Sequence, residues 1–91
     1  MFYDQISENS CYEYTVEQYS DGSMYKGYKL KNKKHGFGIL VLSNGSRYEG
    51  DWLNDVMSGL GKLYYDSGVL AYEGGFLNNK VDGHGIMFNE H

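Results

Sequence analysis

Three histidines and one cysteine are the side chains of this 91-residue chain best suited to metal binding or nucleophilic catalysis. Such chemistry needs several of these groups together, either at the spacing of metal ligands or as a nucleophile beside a base. His35, His84 and His91 show no such spacing, and no motif surrounds Cys11. We therefore predict no catalytic residue, no metal site, no cofactor and no enzyme activity, and we interpret these side chains as structural.

Three glycine pairs of the form Gly-x-Gly raise the question of phosphate binding, because glycine-rich loops hold phosphates in nucleotide-binding proteins. Those motifs also need a following helix with Lys-Ser or Lys-Thr, or an acidic partner, and all three pairs lack them. We interpret them instead as places where aromatic rings pack closely on the backbone. The predicted structural glycines are Gly27, Gly36, Gly38, Gly50, Gly59, Gly61, Gly74, Gly83 and Gly85.

A dense cluster of positive charge is a candidate binding site. Its members are Lys26, Lys29, Lys31, Lys33 and Lys34. Three interpretations are open: a solvated hairpin loop, a contact for an acidic protein partner, or a contact for acidic phospholipids worth about 1 kcal/mol per lysine. The formal net charge of −4 argues against a nucleic-acid binder, whose affinity rests on neutralising phosphates.

The composition indicates one small intracellular domain. The single cysteine forms no internal disulfide, no secretory leader is recognisable, and the longest apolar run, 37–42, is far below the roughly 18 residues of a bilayer span. A chain of this length buries only roughly 60 to 65% of its unfolded surface. We therefore expect repetition or a partner to contribute to its stability.

The 13 glycines and 10 tyrosines recur at fixed spacing. Tyr25-Lys26-Gly27 returns as Tyr48-Glu49-Gly50 and Tyr72-Glu73-Gly74, at steps of 23 and 24 residues, and a Gly-x-Gly pair begins nine residues after each last glycine. The additional residue in the second step lies between Gly68 and Tyr72, and we interpret it as a bulge or a longer turn.

Short runs of aromatic and aliphatic residues, separated by turn signals such as Asn44-Gly45, predict strands rather than helices. We predict an all-β meander of seven antiparallel strands with polar loops before each Gly-x-Gly strand. The strands are expected near 12–19, 24–30, 36–42, 47–53, 59–65, 70–77 and 83–88. Residues 12–21 contain a capping strand, and 1–11 are an N-terminal extension that could be an arm, a short helix or a partner-bound segment.

Alternation along each strand places Tyr48, Gly50 and Trp52 on one face, where a glycine leaves a floor for a neighbouring ring. Equivalent rings would lie roughly 9 to 10 Å apart, too far to stack. We expect the rings to stay bare and to bind a helix or peptide; the alternative is internal packing between hairpins. The predicted partner-binding residues are Tyr25, Tyr48, Trp52, Tyr72 and Phe76.

These three copies resemble MORN (membrane occupation and recognition nexus) repeats, with Tyr48-Glu49-Gly50-Asp51-Trp52-Leu53-Asn54 followed by Gly59-Leu60-Gly61 as the best copy. The resemblance covers about residues 22–91, as repeats of about 22–44, 45–67 and 68–91. It departs from the pattern at Lys29, where an aromatic is expected. The resemblance implies an elongated, curved single-layer sheet of β-hairpins with a role in scaffolding or partner binding.

From this resemblance we expect a non-catalytic protein–protein interaction module that is a scaffold, an adaptor or a structural subunit of a larger intracellular assembly. Such an assembly would be cytoplasmic, cytoskeletal, ciliary or organellar. The alternative is a peripheral membrane module that binds acidic phospholipids through the lysines of 26–34. The last strand is expected to have an unpaired edge, and a homodimer through sheet edges is a further expectation.

Overall fold

The computed structural model describes residues 12–90, which form one open antiparallel sheet of seven strands in chain order. The strands are β1 (Tyr12–Gln18), β2 (Met24–Leu30), β3 (Lys33–Val41), β4 (Arg47–Leu53), β5 (Val56–Tyr64), β6 (Leu70–Leu77) and β7 (Lys80–Met87). The molecule measures 55 × 33 × 16 Å, which is the shape of an elongated single layer. The predicted all-β meander is confirmed; the N-terminal extension, Cys11 and His91 lie outside the described residues.

The turns that precede β3, β5 and β7 contain only two residues. Both central residues have positive φ, for example 48° at Asn54 and 74° at Asp55, which is the conformation of a type I′ turn. Asn and Asp tolerate this conformation, so the chain reverses without a loop. The polar loops predicted here are therefore wrong, and the three strands begin at Lys33, Val56 and Lys80 rather than at the following glycines.

The turns that precede β2, β4 and β6 are wider and end in a glycine with positive φ. In the Asn44-Gly45 turn, Gly45 has a φ of 96° and its N–H donates to the Leu42 carbonyl at 2.9 Å. The Asn44 side-chain oxygen accepts hydrogen bonds from the N–H and the hydroxyl of Ser46, at 2.9 and 2.7 Å. The hairpin predicted at Asn44-Gly45 is thus confirmed.

A bulge interrupts each hairpin just after the Tyr-x-Gly glycine. Gly50 pairs with Gly61, yet Trp52 pairs with Met57, so three residues of β5 stand opposite Asp51 alone. The hairpins β2–β3 and β6–β7 have the same register shift. A different bulge lies in β6, where Ala71 is the unpaired residue between Leu70 and Tyr72, and this confirms the bulge predicted for the longer step.

One row of glycines crosses six adjacent strands, from β2 to β7. Each glycine in the row pairs directly with the next: Gly27, Gly38, Gly50, Gly61, Gly74 and Gly85. The buried side chains all project from one side of the sheet, which we call the aromatic face; the opposite side is the reverse face. The predicted alternation in β4 is confirmed, since Tyr48, Gly50 and Trp52 are buried while Asp51 and Leu53 are exposed.

Candidate partner-binding surfaces

Five rings on the aromatic face form a continuous ladder of edge-to-face contacts. Their order is Tyr25, Trp52, Tyr48, Phe76 and Tyr72, with successive ring centroids 5.8, 5.2, 5.0 and 5.4 Å apart and interplanar angles of 83° to 89°. This is the geometry that aromatic quadrupoles favour. The ladder joins rings that are not equivalent in successive copies, because each Trp or Phe fills the gap beside a tyrosine of a neighbouring copy.

The polar atoms of the ladder bind backbone carbonyls. Tyr48 donates its hydroxyl proton to the Asp51 carbonyl at 2.7 Å, and Tyr25 donates likewise to Tyr28 at 2.7 Å. These carbonyls belong to the residues at the bulges. The Trp52 Nε1–H donates to the Gly38 carbonyl at 3.2 Å. Burial raises the pKa of Tyr48 and of Tyr25 to about 12, because the phenolate would lose its solvation.

The glycine row is what lets the tyrosine rings lie flat across the next strand. A Cβ at Gly61 would sit 2.5 Å from both Cε1 and the hydroxyl oxygen of Tyr48. A Cβ at Gly50 would meet the Leu60 carbonyl oxygen at 2.5 Å. Gly36, Gly59 and Gly83 serve a second purpose, since their φ values of 87°, 111° and 76° form the bulges.

The five rings predicted to contact a partner form the buried core of the sheet. Tyr25 is 0% exposed, and the other four are at most 5% exposed. The expectation that these rings stand bare is therefore wrong: neighbouring hairpins cover them, which was the alternative interpretation. A partner on this face would meet the side chains around the ladder, and direct binding by the five rings remains a prediction.

An open cleft of about 560 Å³ lies beside the ladder, at the end of the sheet formed by the wide turns. Leu40, Met57 and Leu63 pack against the buried rings and line this cleft, and Leu42 at its rim is 46% exposed. The turn residues Asn44, Ser46 and Asp66 supply polar groups at its edge. The cleft is the accessible apolar part of the aromatic face.

The predicted lysine cluster does not form one surface. Strand register places Lys29 and Lys34 on the aromatic face, opposite each other. Lys26 and Lys33 lie on the reverse face, and Lys31 occupies a two-residue turn. The hairpin loop expected to carry the five charges is absent from the described residues, because β2 and β3 extend through this segment.

Two of the lysines are engaged within the chain. Lys34 Nζ lies 5.4 Å from the Tyr25 ring centroid and 5.5 Å from that of Trp52, so an ammonium group covers the first end of the ladder. Lys29 Nζ contacts Glu17 at 3.1 Å. Hydrogen bonds from Tyr19 and then from Lys29 lower the pKa of Glu17. Lys29 thus makes an ion pair where the repeat pattern expects an aromatic ring.

The histidines within the described residues are separated in the sheet. His35 Nδ1 accepts a hydrogen bond from the Asn54 N–H at 3.3 Å, and its ring lies 5.7 Å from that of Tyr12. His84 is on exposed strand β7. Across residues 12–90, no three His, Cys, Asp or Glu side chains are placed to hold a metal ion.

Residues that join one hairpin to the next were missed by the sequence reasoning. Asp55 accepts the Lys34 N–H through Oδ1 at 2.8 Å and donates its own N–H to the Lys34 carbonyl at 2.9 Å. Asn79 makes the same two bonds with Met57, at 2.8 and 3.0 Å. We call each pair a turn latch. The recurrence of Asn or Asp at the second turn position was the signal that could have identified it.

The fold is thus a single-layer sheet built from three bulged hairpins, each with a Tyr-x-Gly strand and a Gly-x-Gly strand. A family model described as MORN repeat matches residues 25–47, 48–69 and 72–88. The matches cover more than half of the chain, and the chain belongs to the MORN repeat family. Each matched segment begins at a tyrosine of the ladder: Tyr25, Tyr48 or Tyr72.

A longer plant protein shares part of this sequence. Protein TIC 100 of Arabidopsis thaliana is 36% identical over 47 residues, which are 52% of this chain and 5% of that protein. The similarity therefore concerns a small part of that relative. Residues 12–90 contain no helix with the length and apolar character needed to cross a membrane.

Proposed function

We propose that this chain is a non-catalytic protein–protein interaction module, a scaffold, adaptor or structural subunit that binds a helix or peptide on its aromatic face. The observation that supports this is the cleft: apolar side chains stand open beside a buried ladder, and no second layer within residues 12–90 covers them. Open apolar surface of this kind is typical of interfaces. The assembly is an intracellular one, of the cytoskeletal, ciliary or organellar kind.

The contacts in this proposal come from the cleft walls, with the ladder as the base. Leu40, Leu42 and Leu63 provide apolar surface that a partner side chain can reach. Trp52→Ala would remove a buried ring and its bond to Gly38, so it would disturb folding along with binding. A rim residue is the sharper probe.

The first prediction is that Leu42→Glu abolishes partner capture. Leu42 is 46% exposed, so a carboxylate there leaves the fold intact while it places a charge in an apolar contact. Affinity purification with tagged chain, followed by mass spectrometry and by titration of the purified partner, should show at least about tenfold weaker binding. The control is Val69→Glu, at a residue 40% exposed and outside the cleft; equal loss in both variants would contradict the proposal.

The membrane alternative has less support, because a flat bilayer would meet only the lysines on one side of the sheet. Flotation with anionic vesicles tests it, since binding through lysines must weaken as salt rises.

Self-association remains part of the proposal: β1 and β7 are the outer strands of the described sheet and have an unpaired edge each. Sedimentation velocity at several concentrations tests that step.

A further inference from the structure

The reverse face carries a second groove, of about 490 Å³, that crosses strands β3 to β6. Its floor is the backbone of the glycine row at Gly50, Gly61 and Gly74. Phe37 and Leu60 stand above this floor with 51% and 70% of their surfaces exposed. This groove shares no lining residue with the cleft of the aromatic face. The two surfaces lie on opposite sides of one layer.

The charges in this groove are mainly negative. Three carboxylates line it, those of Glu49, Asp51 and Glu73, against one ammonium group, that of Lys62. Lys62 Nζ and Glu73 are 4.0 Å apart and both about half exposed, so their attraction is weak. The Asp51 carboxylate accepts only the Leu60 N–H among the hydrogen bonds of the described residues, at 3.0 Å, and makes no ion pair there.

Glu49 is the carboxylate with a cation already beside it. Arg47 Nε donates to Glu49 Oε2 at 2.7 Å, and the Arg47 guanidinium stacks 3.8 Å above the Tyr64 ring. The remaining carboxylates keep acceptor capacity for a ligand that carries positive charge. Apolar walls combined with one unpaired acid, Asp51, and one weakly paired acid, Glu73, define the chemistry of the occupant: it is apolar and basic.

The spacing of these groups selects a helix over an extended strand. Phe37 on β3 and Leu60 on β5 are two strands apart, roughly 9.6 Å, and Asp51 on β4 lies midway. Residues i, i+3 or i+4, and i+7 of an α-helix recur on one side at roughly 5 and 10.5 Å. An extended chain returns a side chain to one face every 6.7 Å or so, which matches neither interval.

We propose that the reverse-face groove binds a basic amphipathic helix of a partner protein, with apolar side chains at i and i+7 against Phe37 and Leu60 and basic side chains between them facing Asp51. Crossing β3 to β6 needs about ten helical residues, since three strand spacings equal roughly 14.5 Å. With a partner in the aromatic-face cleft, the sheet then joins two proteins through its two sides.

The test uses three labelled synthetic peptides of equal length: a helix-forming peptide with Leu at i and i+7 and Lys at i+3 and i+4, the same peptide with Glu in place of Lys, and a scrambled sequence. Fluorescence anisotropy with the full chain should show binding of the basic peptide at least about tenfold tighter than the other two, weakening several-fold between low and high salt. Equal binding of the acidic or scrambled peptide overturns the proposal.

Two variants locate the binding site. Leu60→Ser should weaken the basic peptide at least about fivefold, whereas Leu42→Ser, in the cleft of the other face, should change it less than about twofold. Circular dichroism melts check that both variants fold. The proposal is overturned if Leu60→Ser binds like the wild-type chain, or if sedimentation shows a dimer that Leu60→Ser dissociates, since a second copy would then occupy the groove.

Discussion

At the scale of single residues, glycine and tyrosine act as a matched pair in this sheet. Each ladder tyrosine lies over a glycine of the following strand, and its hydroxyl donates to a carbonyl at a bulge. The glycine is needed for space, and the hydroxyl for pairing an acceptor in a buried region. Packing and hydrogen bonding within the sheet therefore explain why both residue types recur in each copy, without any role in ligand binding.

Gly61→Ala is expected to lower the free energy of unfolding by about 2 to 3 kcal/mol, because its Cβ would lie 2.5 Å from the Tyr48 ring. Urea denaturation followed by circular dichroism measures the loss. Gly68→Ala is the control: Gly68 has a φ of 92° but a Cβ there meets no atom within 4 Å, so it reports backbone strain alone, about 1 kcal/mol. A negligible loss for Gly61→Ala would show that the Tyr48 ring moves aside without cost and would contradict this prediction.

Alkaline pH is expected to destabilise the fold through Tyr25 and Tyr48, whose pKa values are raised by burial. The folded-state pKa of Tyr48 is raised to about 12, above the value near 10 of an unfolded tyrosine. The stabilisation is therefore complete below pH 10 and is lost as the pH rises from 10 toward 12. Tyr48→Phe should cost about 1 to 2 kcal/mol at neutral pH by leaving the Asp51 carbonyl unpaired, and should show a shallower alkaline decline. Parallel slopes for both proteins would contradict this.

At the scale of the element, the unit is a bulged hairpin tied to its predecessor by a turn latch. The latch joins two neighbouring hairpins at the strand ends, through two hydrogen bonds between a turn residue and the second residue of an earlier strand. It adds hydrogen bonds between β3 and the following hairpin beyond Gly36 and Trp52, where the β3–β4 register ends. We expect it to contribute measurably to the coupling between repeats.

Asn79→Ala should cost about 1 kcal/mol more than Asn32→Ala. Both residues have nearly the same φ, 68° and 69°, so the two substitutions impose the same backbone penalty. Only Asn79 accepts the Met57 N–H through its side chain; Asn32 makes no such bond with the residues of 12–90. The difference in thermal or urea stability thus isolates one latch bond. A difference near zero would mean that water replaces the bond without loss.

The sequence was sufficient to predict the strands and the face on which each side chain lies. It was not sufficient to predict toward which neighbouring strand a side chain leans. Alternation identified the side that Tyr48 and Trp52 share, and Asn44-Gly45 identified a hairpin. Asn54-Asp55 gave no comparable turn signal, so β5 was predicted to start too late. Burial of the rings depends on Tyr48 leaning toward one neighbouring strand and Trp52 toward the other, and a period-two pattern contains no such information.

At the scale of the whole molecule, every strand contacts chiefly its neighbours in the chain, so stability is distributed along one dimension. Hydrogen exchange should therefore be graded: slowest in β3 to β5, fastest in β1 and β7. Every residue of β7 is exposed, which removes the burial that slows local opening. Mass spectrometry of exchanged peptides measures the gradient, and uniform protection from β1 to β7 would contradict it.

The position of Trp52 has a practical consequence. It is the only tryptophan of the chain, it is 5% exposed, and tyrosine rings lie 5.8 and 5.2 Å from it. Its emission should be shifted to short wavelength, and excitation of those tyrosines should reach it by energy transfer. The molecule thus contains an intrinsic optical reporter, which would signal loosening of its middle hairpin without any added dye.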